Sequence, residues 1–557
     1  MNIRMPVGRE DFEEVRNGYY FVDKTPFLRE FLENHAKVTL FTRPRRFGKT
    51  LTLSMMRYFL DIERAEEQRK LFDGLAIAQD AEAMAWQGSR PVLFLTMKEW
   101  GAASWEDQQT YIRLNVGDMF GRYAFLLQDR LQERDCKLFQ TILDGEGGLA
   151  LYSKALAFLL RLLEAHYGRK PVLLLDEYDA PIQSAWEHGY GEVSLEFFRK
   201  FFSEALKTNP SLDFAVITGV LRIAKENIFS GLNNLEVDSV LQLHYSEAFG
   251  FTTAEVEQIT RDFGCEDKME ELRKWYDGYR FAGKEIYNPW SVINYFYCKC
   301  KPRAYWVNTS GNSLLGKLLC RSSARVLDKF ETLLQGGTVT VRVREDSIYR
   351  EIFKNESALY TMLVTTGYLT AQCVIEDELG MQAELILPNR ELRSLFRTEV
   401  MERYYTGDMD IELEDLMRAF IDGDIETVRD GLAQYLEVLT SSFDAAKGKE
   451  SFYHGFVLGM TATLTGDYQI RSNREAGYGR YDIAAFPKNG KECGMVIECK
   501  ATDEAEALEE TAKAAIQQIV ERDYDAEFQA RGVCEVLHYG IAFCGKRMCV
   551  ELARNCE

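Results

Sequence analysis

Residues 37–60, KVTLFTRPRRFGKTLTLSMMRYFL, decide how the N-terminal part of the chain folds. An apolar run at 38–41 is followed by a short loop and then by an amphipathic stretch, which predicts a strand, a loop and a helix. The loop ends in Gly48, Lys49 and Thr50. Because backbone N–H groups at a helix N-terminus can hold phosphate oxygens, this stretch predicts a phosphate-binding loop.

The side chains of this loop have the chemistry that ATP and its Mg²⁺ require. Lys49 would reach the β and γ phosphates, and the hydroxyl of Thr50 would bind Mg²⁺. The loop departs from the general pattern GxxxxGK[ST], because Arg43 stands where the first glycine is expected. A loop that merely caps a helix is the alternative, since GKT often occurs by chance. The residues predicted to bind ATP are Arg43, Arg46, Phe47, Gly48, Lys49, Thr50, Leu51, Asp176, Thr218 and Arg222.

A second apolar stretch, PVLLLDEYDA at 171–180, favours a nucleotide site. Asp176 and Glu177 follow its apolar run, at the carboxyl end of a predicted strand, where an α/β sheet places its ligands. Asp176 would hold Mg²⁺ directly or through water. Glu177 is the predicted catalytic acid that polarises the attacking water. The alternative is a solvated turn with two acids, but both motifs in order in one chain favour nucleotide binding.

Two further polar residues lie at the end of the next predicted strand, in VITGVLR at 216–222. Thr218 would sense the γ-phosphate, and Arg222 would stabilise charge. A strand-end turn with a surface arginine is an equal alternative.

The pattern of residues 1–240 predicts an α/β domain with a parallel sheet, because short apolar runs alternate with amphipathic stretches. Each run is apolar on both faces, as expected for a strand covered by helices on both sides. A mainly helical lid or middle region is predicted for 241–440, where Thr252 and Glu255 fit a capping box. Residues 441–557 are predicted to form a C-terminal α/β domain. The four apolar runs of the first domain are 38–41, 92–95, 172–175 and 214–217.

Composition and charge exclude several classes of protein. The 557 residues are 46% hydrophobic, which is too apolar for a disordered chain. The net charge of −20 repels nucleic acid at long range, so any nucleic-acid site must be a local basic patch. No apolar run approaches the ~18 residues of a membrane helix, and the N-terminal stretch lacks the apolar segment of a signal peptide. A cytoplasmic protein without a membrane partner is therefore expected, and its oligomeric state is left open.

Residues 474–501, REAGYGRYDIAAFPKNGKECGMVIECKA, contain a second group of candidate site residues. The pattern predicts two strands joined by a hairpin. Glu498 and Lys500 are two positions apart and therefore share one face of a strand, while Asp482 lies on the neighbouring strand. Two carboxylates and a lysine in this arrangement can converge on Mg²⁺ or Mn²⁺. The metal would lower the pKa of a bound water, and Lys500 would orient that water or help to deprotonate it.

Asp482, Glu498 and Lys500 are thus the predicted catalytic residues, with the two acids as metal ligands. The alternative is an exposed strand face on which Glu498 and Lys500 form an ordinary ion pair. Basic residues near this motif would contact phosphates, and a solvated surface of mixed charge is an equal alternative. These basic residues are Arg471, Arg474, Arg480, Lys488 and Lys491.

Two aromatic-rich stretches lie between these motifs, at 275–279 and 287–290. Base stacking on single-stranded nucleic acid is one interpretation. Packing against the N-terminal domain is the preferred interpretation, because aromatic side chains bury large areas.

Several stretches resemble the bacterial AAA-ATPase-like family, whose members usually carry a PD-(D/E)XK nuclease-like domain at the C-terminus. The stretches are RPRRFGKT, LLLDEYD, TGVLRIAKENIFSGLNNL, WYDGYRF and YNPWS. The loop of that family has an arginine in place of the first glycine, which agrees with Arg43.

The resemblance also implies roles for residues of the C-terminal part. Asp482, Glu498 and Lys500 match the D-(x)n-E-x-K core of PD-(D/E)XK nucleases. Glu475 matches an acidic residue that often precedes this core on the first helix, and it is a predicted metal ligand. Gln518 matches a glutamine that many such domains place on the following helix.

The whole sequence predicts an ATP-binding protein, an ATPase coupled to a metal-dependent nuclease that acts on DNA or RNA. The alternative is a nucleotide-dependent switch or interaction protein whose nuclease-like domain binds nucleic acid without cleaving it. The intact Asp482, Glu498 and Lys500 favour the nuclease. A blocked metal pocket or two strands out of register would favour the switch.

Overall fold

The computed structural model divides the chain into two compact units. The first comprises Met1–Ser310 and Thr332–Arg393, and the second comprises Gly311–Glu331 and Ser394–Glu557. The domain boundaries at 240 and 440 remain predictions, and the residues between them are shared by the two units. The structure describes residues 4–128, 131–221, 235–242, 244–306, 324–334, 336–344, 355–378, 380–396, 411, 413–440, 450–461, 464, 467–476, 479–488, 493–545 and 547–555.

A five-stranded parallel sheet forms the centre of the first unit. Its strands are β1 (Val38–Thr42), β2 (Val92–Thr96), β3 (Val172–Asp176), β4 (Ala215–Gly219) and β5 (Leu235–Asp238). Their order is β2-β3-β4-β1-β5, and all neighbours are parallel. The predicted α/β class is therefore confirmed, because the four apolar runs correspond to β1–β4. Since β4 lies between β3 and β1, the carboxyl ends of these three strands meet at one edge of the sheet.

Helices cover both faces of this sheet. They are α1 (Phe12–Gly18), α2 (Pro26–Asn34), α3 (Lys49–Leu60), α4 (Ala65–Arg69), α5 (Ala81–Met84), α6 (Trp105–Arg122), α7 (Glu133–Leu143), α8 (Leu149–Tyr167), α9 (Ala180–Glu187) and α10 (Gly191–Leu206). Leu173 and Leu175 belong to the core that includes residues of α6, α8 and α10. Leu174 faces the other way and belongs to the core that includes residues of α2 and α3. Burial on both faces explains why β3 is continuously apolar.

The next helices begin with the predicted capping box. Thr252 Oγ1 accepts a hydrogen bond from the N–H of Glu255, and the Glu255 carboxylate accepts one from the N–H of Thr252. These two bonds satisfy N–H groups that the first turn of a helix leaves free. The helices are α11 (Thr253–Phe263), α12 (Met269–Tyr276), α13 (Pro289–Tyr297), α14 (Ala324–Leu334) and α15 (Glu356–Thr365).

Two small antiparallel sheets accompany these helices. Their strands are β6 (Phe251–Thr252), β7 (Tyr279–Phe281), β8 (Lys284–Tyr287), β9 (Val339–Val343), β10 (Thr370–Asp377) and β11 (Gly380–Ile386). The strand orders are β6-β8-β7 and β10-β11-β9. The middle of the chain is mainly helical, as expected. The sequence also predicts short strands at TGYLT (366–370) and AELILPN (383–389), and β10 and β11 include residues of these two stretches.

A mixed five-stranded sheet forms the centre of the second unit. Its strands are β12 (Tyr468–Ala476), β13 (Gly479–Pro487), β14 (Gly494–Ala501), β15 (Val536–Cys544) and β16 (Arg547–Arg554). They lie in chain order, and all neighbours are antiparallel except β14 and β15. The predicted hairpin of β13 and β14 is confirmed. The described helices of this unit include α16 (Leu413–Asp422), α17 (Ile425–Thr440), α18 (Glu450–Thr461), α19 (Leu508–Glu521) and α20 (Ala526–Ala530).

Glu475 lies on β12, and not on a helix as the resemblance implied. It pairs with Arg480 in the antiparallel ladder between β12 and β13. The ladder extends from the pair Tyr468 and Pro487 to the pair Ala476 and Gly479. The backbone hydrogen bonds that a helix would make internally are therefore made between β12 and β13. The side chain of Glu475 lies outside the described part of the chain.

Candidate nucleotide site and candidate metal-nuclease site

The loop between β1 and α3 turns sharply at two residues. Gly48, which directly precedes α3, has φ +84°, in the left-handed region that favours glycine. Arg46 has φ +70°. The loop follows the carboxyl end of β1, so the free N–H groups of the first turn of α3 lie at that edge of the sheet. This is the arrangement that the phosphate-binding prediction requires.

Asp176 lies between two hydroxyl groups at this edge. Thr50 Oγ1 donates a hydrogen bond of 2.7 Å to Asp176 Oδ2, and Thr218 Oγ1 donates one to Asp176 Oδ1. The three residues come from α3, β3 and β4, whose ends the strand order brings together. The structure therefore joins three residues that the sequence predicted for one site.

Lys49 bonds to the loop itself. Its Nζ donates hydrogen bonds of 3.0 Å and 2.9 Å to the carbonyl oxygens of Arg43 and Pro44. Burial lowers the pKa of Lys49, while the nearby carboxylates of Asp176 and Glu177 act in the opposite direction. The ammonium group thus lies beside the acids that the sequence assigned to Mg²⁺ and water.

Glu177 and Asp179 follow β3 and differ in their surroundings. Glu177 is half-buried with φ +52°, and its pKa is raised mainly by burial and also by the charge of Asp176. Asp179 is buried, and its Oδ2 accepts hydrogen bonds from the N–H groups of Val220 (2.9 Å) and Leu221 (2.8 Å). Sequence reasoning missed Asp179, although the spacing of acids in DEYD was a usable signal. Asp179 fixes the turn that follows β4 and Thr218.

Arg43 contributes its side chain to a buried ion pair. Its Nη2 lies against Asp238 Oδ1, and its Nη1 donates to the carbonyl oxygen of Asp238 at 2.9 Å. The guanidinium also lies over the ring of Phe249, 5.0 Å from the ring centre. The part of Arg43 that meets Lys49 is its backbone carbonyl, so the arginine at the first-glycine position anchors the loop.

The aromatic-rich stretches pack against the same loop. The guanidinium of Arg46 lies 4.2 Å from the ring centre of Trp290. Phe47 is buried, with its ring centre 5.0 Å from that of Tyr279 and 5.3 Å from that of Phe281. The packing interpretation therefore holds for these residues.

Leu51 and Arg222 are the two remaining residues that the sequence predicted for the nucleotide site. Leu51 is half-buried and packs against the core between the sheet and α3. Arg222 lies outside the described residues.

In the second unit, Asp482 and Glu498 each bind the backbone of the opposite strand. Asp482 Oδ2 accepts a hydrogen bond of 2.8 Å from the N–H of Cys499, and Glu498 Oε2 accepts one of 3.3 Å from the N–H of Asp482. The backbone ladder between β13 and β14 includes the pair Ile483 and Ile497, directly beside these acids. The carboxylates thus take N–H donors where the backbone ladder ends, and the N–H dipoles offset part of their like charge.

Gln518 of α19 connects Glu498 with Lys500. Lys500 Nζ donates a hydrogen bond of 2.6 Å to Gln518 Oε1, and Gln518 Nε2 donates to Glu498 Oε1. Cys499 is fully buried in the core on the opposite face of β14, as the period of two residues predicted. Asp482, Glu498, Lys500 and Gln518 are therefore one group.

Tyr524 lies near this group of residues, and the sequence analysis did not select it. It is buried, and its hydroxyl donates a hydrogen bond of 2.7 Å to the carbonyl oxygen of Arg480. Burial raises its pKa, the charges of Glu498 and Asp482 raise it further, and a hydrogen bond with Gln518 lowers it. A lone tyrosine after a helix gives no sequence signal for such a position.

The basic residues around the motif differ in their contacts. Arg471 forms an ion pair of 2.5 Å with Glu527 and lies over the ring of Phe486. Arg480 is exposed. The side chain of Arg474 and all of Lys491 lie outside the description. Arg471 thus fits the mixed-charge interpretation.

Comparison with known proteins assigns both regions. Residues 6–229 match the family described as "Predicted AAA-ATPase" (AAA-ATPase-like). Residues 448–552 match the PD-(D/E)XK nuclease superfamily. The chain carries an AAA-ATPase-like domain and a PD-(D/E)XK domain. It is also 26% identical over 555 residues to a protein of Azotobacter chroococcum mcd 1 named "Uncharacterized protein in vnfD 5'region". The matched region covers 97% of this chain and 96% of that protein.

The donor atoms of each domain suit a divalent cation. In the AAA-ATPase-like domain, the Thr50 hydroxyl and the Asp176 carboxylate are neighbouring hard oxygen donors. In the PD-(D/E)XK domain, Asp482 and Glu498 supply two carboxylates, and their like charges would be offset by a cation. Within the described ranges, no group of three or more His, Cys, Asp or Glu side chains gathers as a metal site. The described oxygen donors at each site are therefore suitable ligands for Mg²⁺ or Mn²⁺, and they supply part of the coordination of such an ion.

Among the helices that the structure describes, none combines the length and the apolar character needed to cross a bilayer.

Proposed function

We propose that this protein binds and hydrolyses ATP and couples this activity to a metal-dependent nuclease that cleaves phosphodiesters of DNA or RNA. One observation carries the proposal: the same chain contains two clusters of polar side chains that are joined by hydrogen bonds. One joins Thr50, Asp176 and Thr218, and the other joins Glu498, Lys500 and Gln518. The two domain assignments support the same combination of activities.

In the nucleotide site, the residues divide the work by their chemistry. Lys49 would exchange its two loop carbonyls for phosphate oxygens, which are stronger partners for an ammonium group. Thr50 and Asp176 would hold Mg²⁺, which when bound neutralises charge on the β and γ phosphates. Glu177 would orient the attacking water, and its raised pKa brings it nearer to the pH at which a general base works best.

In the nuclease site, Asp482 and Glu498 would hold the metal ion together with other ligands. The ion, when bound, makes a water molecule more acidic and stabilises charge on the phosphodiester. Lys500 would orient that water. Gln518 holds the Lys500 ammonium at 2.6 Å and also bonds to Glu498, which supports a role in positioning both side chains.

The first experiment is a substrate panel for the purified full-length protein. Single- and double-stranded DNA and RNA would be incubated with Mg²⁺ or Mn²⁺, with and without ATP, while ATP hydrolysis is measured in parallel. We expect ATP hydrolysis and metal-dependent cleavage of at least one class of nucleic acid. ATP hydrolysis with binding but no cleavage would replace the nuclease by the nucleotide-dependent switch. A protein that neither binds nor hydrolyses ATP would contradict the proposal.

A further inference from the structure

The loop before α3 contains three arginines, and only one of them has an exposed side chain. The guanidinium of Arg43 is buried against Asp238, and that of Arg46 lies over Trp290. Arg45, between them, is exposed to solvent. Its side chain is therefore the most accessible of the three to a bound ligand.

The guanidinium of Arg45 lies near Lys49 and against α9. Its positive charge acts on Lys49 and contributes to the lowered pKa of that ammonium group. Its Nη2 donates a hydrogen bond of 3.3 Å to Gln183 Oε1. Gln183 belongs to α9, which begins at Ala180, directly after the acidic segment that ends β3. Arg45 thus extends from the phosphate loop toward the acids that would handle Mg²⁺ and water.

Arg45 is fixed at its backbone and weakly held at its tip. Its carbonyl oxygen accepts a hydrogen bond of 3.1 Å from the indole N–H of Trp306. The tip bonds to a neutral amide, and Gln183 Nε2 itself donates to Glu187 Oε1 at 3.1 Å. A phosphate would be a stronger partner than this amide, because guanidinium and phosphate form paired charge-assisted hydrogen bonds. The contact with Gln183 is therefore one that a phosphate can displace.

We propose that Arg45 is a catalytic residue that binds the terminal phosphate of ATP and stabilises the charge that develops during hydrolysis. This inference rests on the ATPase activity proposed above. In the reaction, the water oxygen bonds to the γ-phosphorus while the bond from that phosphorus to the β,γ-bridging oxygen breaks. The bonding electron pair leaves with ADP, and the water proton is transferred to Glu177. Arg45 exchanges no proton and acts through its fixed charge.

The test compares Arg45→Ala and Arg45→Lys with the parent protein. The matched control is Arg134→Ala, which removes an exposed arginine from α7. For each protein, kcat for ATP hydrolysis, the Kd for ADP, the Kd for ADP with aluminium fluoride and the Tm would be measured. Aluminium fluoride imitates the transferred phosphoryl group, so it reports the contact that Arg45 is proposed to make.

We expect kcat of Arg45→Ala to fall by about 10³-fold, at the lower end of what an arginine supplies in phosphoryl transfer. The Kd for ADP and the Tm should remain near the values of the parent, while the affinity for ADP with aluminium fluoride should fall. Arg45→Lys should recover part of kcat, because lysine keeps the charge but loses the planar fork. Arg134→Ala should behave like the parent.

Two results would overturn the inference while leaving the ATPase proposal in place. One is a kcat of Arg45→Ala equal to that of an active parent. The other is a parallel loss of ADP affinity and Tm, which would assign Arg45 a structural role only. A parent protein without ATPase activity would overturn the proposed function and this inference together.

Discussion

Lys49 is buried, and its ammonium group lies near the carboxylates of Asp176 and Glu177. Its type and its place after Gly48 predicted a phosphate contact, and its proximity to Asp176 and Glu177 agrees with that prediction. The burial of Lys49 and its bonds to the carbonyl oxygens of Arg43 and Pro44 were not predictable from the sequence. Contacts of this kind depend on the path of the loop in three dimensions, which spacing alone does not determine.

Arg43 shows the same limit more strongly. An arginine can replace the usual glycine at this position only if its side chain has enough space and an oppositely charged partner. That partner is Asp238, 195 positions later in the chain. No local pattern links two residues so far apart, so the anchoring role of Arg43 became visible only in the fold.

Glu391 is a buried carboxyl group that sequence analysis did not select. Its Oε2 accepts a hydrogen bond of 2.7 Å from Ser291 Oγ, and its Oε1 accepts one of 2.5 Å from the N–H of Trp306. Burial raises its pKa from 4.5 to about 7. Between these values the native state holds a proton that the unfolded state has lost, so Glu391 makes the protein less stable as the pH rises through this range.

Replacing Glu391 by glutamine should remove this pH dependence. Glu391→Gln keeps the shape and can still accept from Trp306, but it carries no titrating proton. Thermal unfolding of the parent and the variant would be followed between pH 5 and pH 8. We expect the difference in Tm between them to shift in favour of the variant as the pH rises. Glu384→Gln, at an exposed position on β11, is the control, and identical pH profiles for parent and Glu391→Gln would contradict the prediction.

At the scale of elements, the apolar strands were predictable because burial on both faces leaves a simple sequence signal. β12 was harder, because its segment YQIRSNREA is largely polar and is extended through its ladder with β13. The group of Asp482, Glu498 and Lys500 was predictable from the period of two residues along a strand. The contribution of Tyr524 was not, because it depends on how the chain after α19 returns to Arg480.

A side chain added at Gly219, the last residue of β4, should destabilise the fold. A Cβ there would lie 2.6 Å from the ring of Tyr178 and 2.7 Å from Asp179 Oδ1. Gly219→Ala should therefore lower the free energy of unfolding by about 1–3 kcal/mol, as overpacking usually does. Urea unfolding would measure the change. Gly18→Ala, in α1 where a Cβ meets nothing within 4 Å, is the control and should be neutral or slightly stabilising.

An equal loss of stability in both glycine variants would contradict this prediction. It would mean that the contact with Tyr178 and Asp179 is not the cause.

The pair of strands β13 and β14 should respond to a divalent cation. Asp482 and Glu498 carry like charges on neighbouring strands, so Mg²⁺ or Mn²⁺ that binds the folded state should raise the Tm. Asp482→Asn removes a ligand and part of the repulsion, and should reduce the metal-induced rise without lowering the metal-free Tm. The measurement belongs in a Lys49→Ala background without nucleotide, so that no bound ATP brings Mg²⁺ to the nucleotide site.

Asp503→Asn is the matched control for this experiment, because it removes an exposed acid outside the group. It should leave the metal-induced rise unchanged. If the rise were the same with and without Asp482, the proposed metal centre would be contradicted.

At the scale of the whole molecule, the sequence predicted two kinds of chemistry in one chain, and the family matches at 6–229 and 448–552 assign a domain to each. Motifs with fixed spacing made this possible. The division of residues 241–440 between two units was not predictable, because it depends on contacts between distant parts of the chain.

The central claim is that ATP hydrolysis and nucleic-acid cleavage are coupled in one protein. The most direct test measures the rate of metal-dependent cleavage with and without ATP in the parent, Lys49→Ala, Asp482→Asn and Asp503→Asn. We expect ATP to change the cleavage rate of the parent and of Asp503→Asn, but not that of Lys49→Ala, while Asp482→Asn hydrolyses ATP without cleaving. Cleavage by Asp482→Asn at the rate of the parent, or a cleavage rate of the parent that ATP does not change, would contradict the account.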